Sequence, residues 1–214
     1  MNIAIIGAGN VGGTLGTRWA KGSHQVTFGV RKPQDAKIKK VLDAAGQNAR
    51  AAGIAEAVKE AGVVVLTTPW EGSREAITSA GSLVGKILID ATNPILLGEE
   101  GLKKGLVVGF NTSAAEQLAS WVPGASVVKA FNTTGAGNMA NPQYGPDKAT
   151  MFICGDSAEA KSTVQKLSDE LGFETVDSGP LSMARYLEPM AMFWISMAFA
   201  QGMGMNFALK MVKR

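Results

Sequence analysis

Short apolar runs alternate with amphipathic segments along most of the chain. The runs are long enough for buried strands and too short for helices, and they lie at residues 3–6, 25–30, 61–70, 86–90, 125–130, 150–155 and 173–177. Segments with a helical period lie between them, at residues 11–21, 34–45, 54–60, 71–80 and 157–171. This alternation predicts an α/β protein with a doubly wound, mostly parallel sheet.

A glycine-rich turn follows the first strand. Gly7, Gly9 and Gly12 give the spacing Gly-x-Gly-x-x-Gly where this strand should turn into the first helix. Gly7 allows the tight turn, Gly9 lets the backbone approach a pyrophosphate, and Gly12 lets the helix pack against the strand. The phosphates would bind free N–H groups at the start of the helix. The alternative is an ordinary strand–helix turn. We predict a dinucleotide site that includes Gly7, Ala8, Gly9, Asn10, Val11 and Gly12.

The end of the second strand indicates which dinucleotide binds. Proteins that bind NAD usually carry Asp or Glu here, about 20 residues past the glycines, to hold the ribose 2′-hydroxyl. This chain has Val30, Arg31 and Lys32 instead, with Lys37 shortly after. Because a cation suits the 2′-phosphate of NADP, the sequence predicts NADP(H) as the cofactor. The alternative is that these residues are solvated surface cations.

Three later strands end in polar, uncharged residues. The carboxyl ends of parallel strands meet at one edge of a sheet, so we expect these ends to line one crevice. Their hydroxyl and amide groups suit hydrogen bonds to ribose and carboxamide, although such residues also form ordinary turns. The predicted lining consists of Thr67, Thr68, Pro69, Trp70, Asn93, Ala130, Asn132 and Thr133.

The rest of the chain is predicted to extend this core within one domain, with the core at about residues 1–134 and the extension at about 135–214. A further βαβ unit continues the sheet, and the loop 135–148 is the best candidate for a mobile lid. Residues 181–214 are expected to be helical, with a break at 202–204 and a last helix at 206–213. The segment 190–199 is apolar on nearly every side, so the domain or a second subunit must cover it. We therefore expect a homodimer.

Composition limits the classes of partner. The net charge of the 214 residues is only +3, and basic residues are scattered except around 31–40. This argues against a nucleic-acid surface and for a local anion site. The most apolar run is too short for a bilayer, and the lone Cys154 excludes an internal disulfide. Both favour a soluble protein of the reducing cytoplasm, with no membrane partner. Cys154 lies in an apolar strand, which favours a core thiol over a nucleophile.

The sequence shows no obvious acid–base group for an alcohol dehydrogenase. His24 is the one histidine, and it precedes the second strand at the sheet edge away from the crevice, so a structural role is expected. Tyr144 and Lys148 have the spacing Tyr-x-x-x-Lys, but the Gly-Pro between them argues against a shared helix. One Cys and one His cannot form a usual zinc site, so no metal is predicted. Hydride exchange between two redox cofactors needs none of these groups. A second ring would then lie between residues 133–138, where 135–137 are small, and residues 67–70.

With these residues identified, the chain resembles the NADP oxidoreductase, coenzyme F420-dependent family over almost its whole length. The likeness rests on Ile-Gly-Ala-Gly-Asn-Val-Gly at 6–12, Gly-Val-Arg at 29–31, Val-Leu-Thr-Thr-Pro-Trp-Glu at 65–71, Cys-Gly-Asp at 154–156, Asp-Ser-Gly-Pro-Leu at 177–181 and Gly-Met-Gly at 202–204. The resemblance implies a Rossmann domain whose small C-terminal extension helps to form a dimer. It also implies that Gly9, Asn10 and Val11 hold the pyrophosphate, that Arg31 holds the 2′-phosphate, and that residues 68–70 lie beside the nicotinamide.

Two departures concern the ligands. Archaeal members carry Ser before the phosphate-binding Arg, where this chain has Val30. The segment Lys-Ala-Phe-Asn-Thr at 129–133 is more similar to the cytosolic reductase domain of the six-transmembrane ferric reductases, which pass electrons from NADPH to flavin. The resemblance implies an NADP-dependent oxidoreductase that moves hydride between NADP(H) and a deazaflavin (coenzyme F420) or a flavin (FMN or FAD). Two alternatives stay open, an NADPH-dependent flavin or ferric reductase and an NADPH-binding sensor without turnover.

Overall fold

The computed structural model describes residues 1–96, 98 and 103–214. In this part of the chain, eight strands form one sheet in the order β10-β9-β6-β5-β4-β1-β2-β3, and β7 and β8 form a separate hairpin. The strands are β1 (Asn2–Ile6), β2 (Gln25–Gly29), β3 (Ala49–Ala52), β4 (Val63–Leu66), β5 (Ile87–Asp90), β6 (Ser126–Lys129), β7 (Gln143–Tyr144), β8 (Asp147–Lys148), β9 (Thr150–Gly155) and β10 (Glu174–Asp177).

Helices connect the strands and cover both faces of the sheet. The described helices are α1 (Asn10–Lys21), α2 (Ala36–Ala45), α3 (Ile54–Lys59), α4 (Trp70–Ala80), α5 (Ala114–Trp121), α6 (Ala136–Ala140), α7 (Ala158–Leu171) and α8 (Ala184–Ile195). A 3-10 turn (Leu181–Met183) precedes α8, and a π-helical turn (Ser196–Ala200) continues it. None of the helices so described is long and apolar enough to cross a membrane.

The strand order confirms the predicted fold class. Strands β1 to β6 are parallel, and the order 3-2-1-4-5-6 reverses direction between β1 and β4, which is where Rossmann folds bind dinucleotides. β9 pairs with β6 in the antiparallel direction, and β10 is parallel to β9. The strands of the C-terminal βαβ unit therefore run opposite to β1–β6. Their carboxyl ends lie at the end of the sheet away from the predicted crevice.

The core consists of two apolar layers, one on each face of the sheet. Side chains alternate between the layers, as in β1, where Ile3 and Ile5 belong to one layer and Ala4 and Ile6 to the other. All four are at most 1% exposed, as expected for a strand buried on both faces.

The C-terminal residues 206–213 are not helical, so the prediction of a last helix is wrong. They run beside β9, where Thr150 N–H donates to the Leu209 carbonyl at 2.9 Å and Met211 N–H donates to Thr150 Oγ1 at 2.9 Å. β6 ends opposite Cys154, so the first half of β9 has no strand partner on that side. Buried backbone groups need partners, and the C-terminal segment supplies one for the N–H of Thr150 at the start of β9.

The segment 135–148, predicted as a loop, contains α6 and the β7–β8 hairpin. Arg18 Nη1 donates to the Ala140 carbonyl at 2.6 Å, and Asn138 Nδ2 donates to the Phe207 carbonyl at 2.7 Å. These bonds tie the segment to α1 and to the C-terminal residues. Tyr144 and Lys148 lie on opposite strands of the hairpin, so they do not form a catalytic pair on one helix.

Candidate active site at the carboxyl ends of the strands

The glycine turn has the geometry of an anion-binding site. The chain reverses at Gly7, whose φ of +103° favours glycine, and α1 then begins at Asn10 with Gly9 as its N-cap. A Cβ at Gly12 would lie 2.3 Å from the Gly7 carbonyl oxygen, whereas a Cβ at Gly9 would meet nothing within 4 Å. Gly12 is therefore required by packing, and Gly9 is not. Gly9 has no side chain to cap the helix, so the N–H groups of the first turn are available to a ligand.

A cleft of about 830 Å³ runs from this turn past the ends of β2 and β4. It is lined by the predicted site residues Gly7, Ala8, Gly9, Val30, Arg31, Lys32, Thr67, Thr68 and Pro69. The other predicted residues lie outside its lining, and they are Asn10, Val11, Gly12, Trp70, Asn93, Ala130, Asn132 and Thr133. The cleft thus gathers the glycine turn, the cations after β2 and the residues directly after β4, whereas the predicted residues after β5 and β6 lie outside its lining.

The cations in the cleft are free to bind an anion. Arg31, Lys32 and Lys37 are exposed, and none of the three forms an ion pair with a described residue. Asp35 also lines the cleft, but its Oδ1 accepts a hydrogen bond from Lys37 N–H at 2.8 Å and caps α2. Sequence reasoning missed Glu71 and Glu75, which line the cleft from α4. Their spacing of four residues places them on one face of that helix, and this spacing could have indicated that the two side chains lie on the same side of α4.

Two of the predicted threonines have partners within the protein. Thr67 Oγ1 donates to the Ile6 carbonyl at 3.0 Å and so fastens the end of β4 to the glycine turn. Thr68 Oγ1 lies 3.1 Å from Ser73 Oγ in the first turns of α4. Trp70 stacks on Trp121, with ring centroids 5.4 Å apart and planes 22° apart. The indole of Trp70 therefore packs between α4 and α5.

Asn93 and Asn132 form a reciprocal pair at the ends of β5 and β6. Asn93 Nδ2 donates to the Asn132 carbonyl at 3.0 Å, and Asn132 Nδ2 donates to Asn93 Oδ1 at 3.1 Å. Asn93 is half-buried, whereas Ala130, Asn132 and Thr133 are buried. The two asparagines are thus brought together as predicted, but only Asn93 is open to a ligand.

A buried ionic cluster beside this pair was not predicted. Lys129 Nζ donates to Asp90 Oδ2 at 2.8 Å, to the Thr92 carbonyl at 2.7 Å and to Glu188 Oε1 at 2.9 Å. Burial by itself lowers the pKa of Lys129, but the charges and hydrogen bonds of the two carboxylates outweigh it and raise that pKa above its ordinary value. The sequence did hold a signal, since Asp90 and Lys129 end two apolar strands that are neighbours in the sheet.

The small residues predicted to leave room for a second ring have different surroundings. A Cβ at Gly135 would lie 2.7 Å from the ring of Trp194, so this glycine is small because α8 packs against it. Trp194 in turn stacks on Phe207, with ring centroids 5.1 Å apart. A Cβ at Gly137 would meet nothing within 4 Å, so open space remains there.

His24 and Cys154 have structural surroundings, as predicted. His24 is 7% exposed and its Nε2 lies 2.7 Å from Glu170 Oε2, at the sheet edge opposite the cleft. Burial raises the pKa of the Cys154 thiol to about 12, so the thiolate that a nucleophile needs is disfavoured.

Comparisons with known proteins show which family the chain is similar to. A family model described as NADP oxidoreductase coenzyme F420-dependent matches residues 2–94. The F420-dependent NADP reductase of Methanothermobacter marburgensis is 30% identical over 207 residues, which cover 92% of each chain. A solved structure from Arthrobacter sp. FB24, named as a candidate F420-dependent NADP reductase, is 31% identical, covers 100% of both chains and has a TM-score of 0.89. Metalloreductase STEAP3 of Rattus norvegicus is 33% identical over 187 residues, or 87% of this chain. The chain spans only about a third of that relative, since the match covers 35% of its length.

Proposed function

The chain belongs to the coenzyme F420-dependent NADP oxidoreductase family, and from this premise we propose that it is an NADP-dependent oxidoreductase that moves hydride between NADP(H) and a deazaflavin of the coenzyme F420 type. The observation that carries the choice of deazaflavin is the match to an archaeal F420-dependent NADP reductase over 92% of both chains. In the direction of deazaflavin reduction, NADPH gives a hydride, one proton comes from solvent, and NADP⁺ is released.

The cleft fits NADP(H). The α1 N-terminus offers unpaired N–H groups to the pyrophosphate, and the space at Gly9 lets the backbone come close to it. The cations Arg31, Lys32 and Lys37 meet the need for a positive charge at the 2′-phosphate. We propose that Gly9, Asn10 and Val11 hold the pyrophosphate, that Arg31 holds the 2′-phosphate, and that Thr68 and Pro69 lie on the way to the nicotinamide.

The nicotinamide end needs residues that orient rings and no residue that moves a proton. When bound, NADPH supplies the hydride, so the protein's task is to align the two rings and to keep water away. The predicted residues at this end, Thr68, Pro69, Asn93, Asn132 and Thr133, carry no titratable side chain. Uncharged donors and acceptors can fix a ring without entering the chemistry.

Similarity to the metalloreductases favours a second candidate acceptor. The likeness to STEAP3 covers 87% of this chain, although the chain spans only 35% of that relative. The part in common includes the segment 129–133, which resembles the ferric reductases more than the F420-dependent members. A flavin (FMN or FAD) that receives hydride from NADPH is therefore the alternative acceptor, with a ferric ion as the last electron acceptor.

A panel of acceptors tests these proposals. Purified protein is mixed anaerobically with NADPH and, in separate reactions, with coenzyme F420, FMN, FAD or FAD plus ferric citrate. We expect NADPH oxidation to require an acceptor and to be fastest with F420. Faster oxidation with a flavin would support the alternative. If none of these acceptors leads to NADPH oxidation, both proposals are contradicted, and the protein binds NADPH without turnover.

We also propose that the chain is a homodimer whose contact includes α8. The outer face of this helix and of the turn after it carries apolar side chains that nothing in the described chain covers. Tyr186 is 66% exposed, Phe193 57% and Phe199 54%, and Met203 and Met205 beyond them are also exposed. The inner face is buried, which leaves the apolar outer face for a second copy.

The cellular location and the domain boundaries are proposals as well. The single cysteine is buried on β9, as suits a protein of a reducing compartment, so we place the chain in the cytoplasm. We propose one domain over residues 1–214, in which about 1–134 form the NADP-binding core and the remainder forms the extension.

A further inference from the structure

The buried cluster of Asp90, Lys129 and Glu188 has no role in the function proposed so far. Asp90 ends β5 and Lys129 ends β6, and the two residues pair in register. Asn93 and Asn132 each follow three residues later. The cluster thus lies at the base of both segments that carry the asparagine pair.

Every polar group of the cluster has a partner. The three hydrogens of Lys129 Nζ are donated to Asp90, Glu188 and the Thr92 carbonyl. Asp90 Oδ1 also accepts bonds from Thr92 N–H at 2.9 Å and from Thr92 Oγ1 at 2.7 Å. Thr92 is therefore held by its amide, its carbonyl and its hydroxyl. The residue directly before Asn93 is thus bonded to the cluster through three polar groups.

The second asparagine is held from the other side. Asn132 Nδ2 donates to the Leu187 carbonyl at 3.1 Å, next to Glu188 on α8. Glu188 itself accepts bonds from Ala114 N–H and Ala115 N–H at the start of α5, which anchors α8. Phe131, directly before Asn132, is buried at a φ of +60°, a conformation that residues with a Cβ rarely adopt. The chain thus accepts a strained backbone in order to place Asn132.

The asparagine pair is built to fix Asn93. The Asn132 carbonyl accepts a hydrogen bond from Asn93, and Asn132 Nδ2 donates one to Asn93. The side-chain oxygen of Asn132, Oδ1, is buried without a hydrogen-bond partner. The two bonds determine which way the Asn93 amide faces. They leave Asn93 with one N–H and one acceptor lone pair to offer. A primary carboxamide presents the complementary acceptor and donor.

We propose that the cluster Asp90–Lys129–Glu188 and Asn132 are positioning residues for Asn93, and that Asn93 binds the carboxamide of the nicotinamide. This inference rests on the proposed binding of NADP(H). It gives the four buried residues a role in holding Asn93, which follows β5 and lies outside the lining of the 830 Å³ cleft, whereas Thr68, which follows the neighbouring strand β4, belongs to that lining.

A double-mutant cycle tests the asparagines. Dissociation constants for NADPH and for 2′,5′-ADP, which lacks the nicotinamide half, are measured for wild type, Asn93→Ala, Asn132→Ala and the double variant. We expect each single variant to weaken NADPH by about 3- to 10-fold, the range of one net hydrogen bond. The double variant should be no weaker than Asn93→Ala, and 2′,5′-ADP should bind equally to all four proteins. Additive losses, or equal losses for both ligands, would overturn the positioning role.

A variant in which the cluster is uncharged tests whether the cluster positions Asn93. The variant Asp90→Asn/Lys129→Met/Glu188→Gln keeps the side-chain volumes close to the originals and leaves no buried charge unpaired, so it has the best prospect of folding. We expect it to bind 2′,5′-ADP as wild type does and NADPH about 3- to 10-fold more weakly. A folded variant with unchanged NADPH affinity would overturn the role of the cluster. If the variant does not fold, the asparagine cycle decides. Failure of wild type to bind NADPH would instead refute the proposed function.

Discussion

At the scale of single residues, Arg31 is the side chain on which the choice of coenzyme depends. It lines the cleft and has no ion partner among the residues described. A hydrogen bond to a charged group is worth about 1.5–3 kcal/mol, so Arg31→Ala should weaken NADPH binding about 10–100-fold and leave NADH little changed. Lys40→Ala is the matched control, because it removes an equal charge from α2 outside the cleft lining. Equal losses for NADPH and NADH, measured by titration, would show that Arg31 does not bind the 2′-phosphate.

At Gly9, packing within the protein does not require a glycine. A Cβ there meets nothing within 4 Å, so Gly9→Ala should leave the thermal midpoint almost unchanged. It should weaken NADPH binding at least about tenfold, because the methyl group occupies the approach of the pyrophosphate. Gly13→Ala is the control, since Gly13 lies outside the cleft lining and its Cβ would make only ordinary contacts of 3.6 Å. Unchanged NADPH affinity in Gly9→Ala would place the pyrophosphate elsewhere.

At the scale of elements, an ion pair fastens α8 to α5 and makes this contact sensitive to acid. Arg185 donates two hydrogen bonds to the Glu116 carboxylate, at 2.9 and 2.6 Å, and the bond from Arg185 lowers the pKa of Glu116 below 4.5. Because the folded-state pKa is depressed, this stabilisation is present above about pH 4.5 and is lost as the pH falls through the folded-state value.

The expected consequence appears in unfolding measurements. Glu116→Gln should lower the free energy of unfolding by about 0.5–1 kcal/mol at pH 7, since the pair is partly exposed. The difference from wild type should shrink towards zero in strong acid. Glu56→Gln, which breaks an exposed pair with Arg50, should have a smaller effect. A loss in Glu116→Gln that is the same at pH 7 and in acid would contradict the role of the charge.

The elements that sequence reasoning located are those with strong local signals. The strands β1, β2, β4, β5 and β6, the turn at Gly7 and the helices α1 and α4 follow from apolar runs and glycine spacing, whereas β3 was not predicted. The segment 206–213 was misread because its polar and apolar residues allow either structure, and only the open flank of β9 decides for an extended one. The Asp90–Lys129 pair was missed because strand pairing, which brings the two together, is a long-range property. The position of Glu188 beside them depends on the packing of α8 as well.

At the scale of the whole molecule, the exposed apolar face of α8 predicts the oligomeric state. Phe193→Asp places a charge on this face, which should convert the proposed dimer into a monomer in light scattering and leave the circular dichroism spectrum unchanged. Val84→Asp is the control, since Val84 is 68% exposed and lies far along the chain from α8. A wild-type monomer at micromolar concentration, or a dimeric Phe193→Asp variant, would exclude this interface.

The proposed function requires that one site on this chain brings NADPH and a deazaflavin together for direct hydride transfer. Deuterium at the transferable position of the NADPH nicotinamide tests the claim, because a deazaflavin receives hydride on carbon, where the label does not exchange with water. Anaerobic turnover with coenzyme F420, followed by mass spectrometry of the reduced product, should find one deuterium per molecule. Reduced F420 without label, or no reduction of F420 at all, would contradict the account.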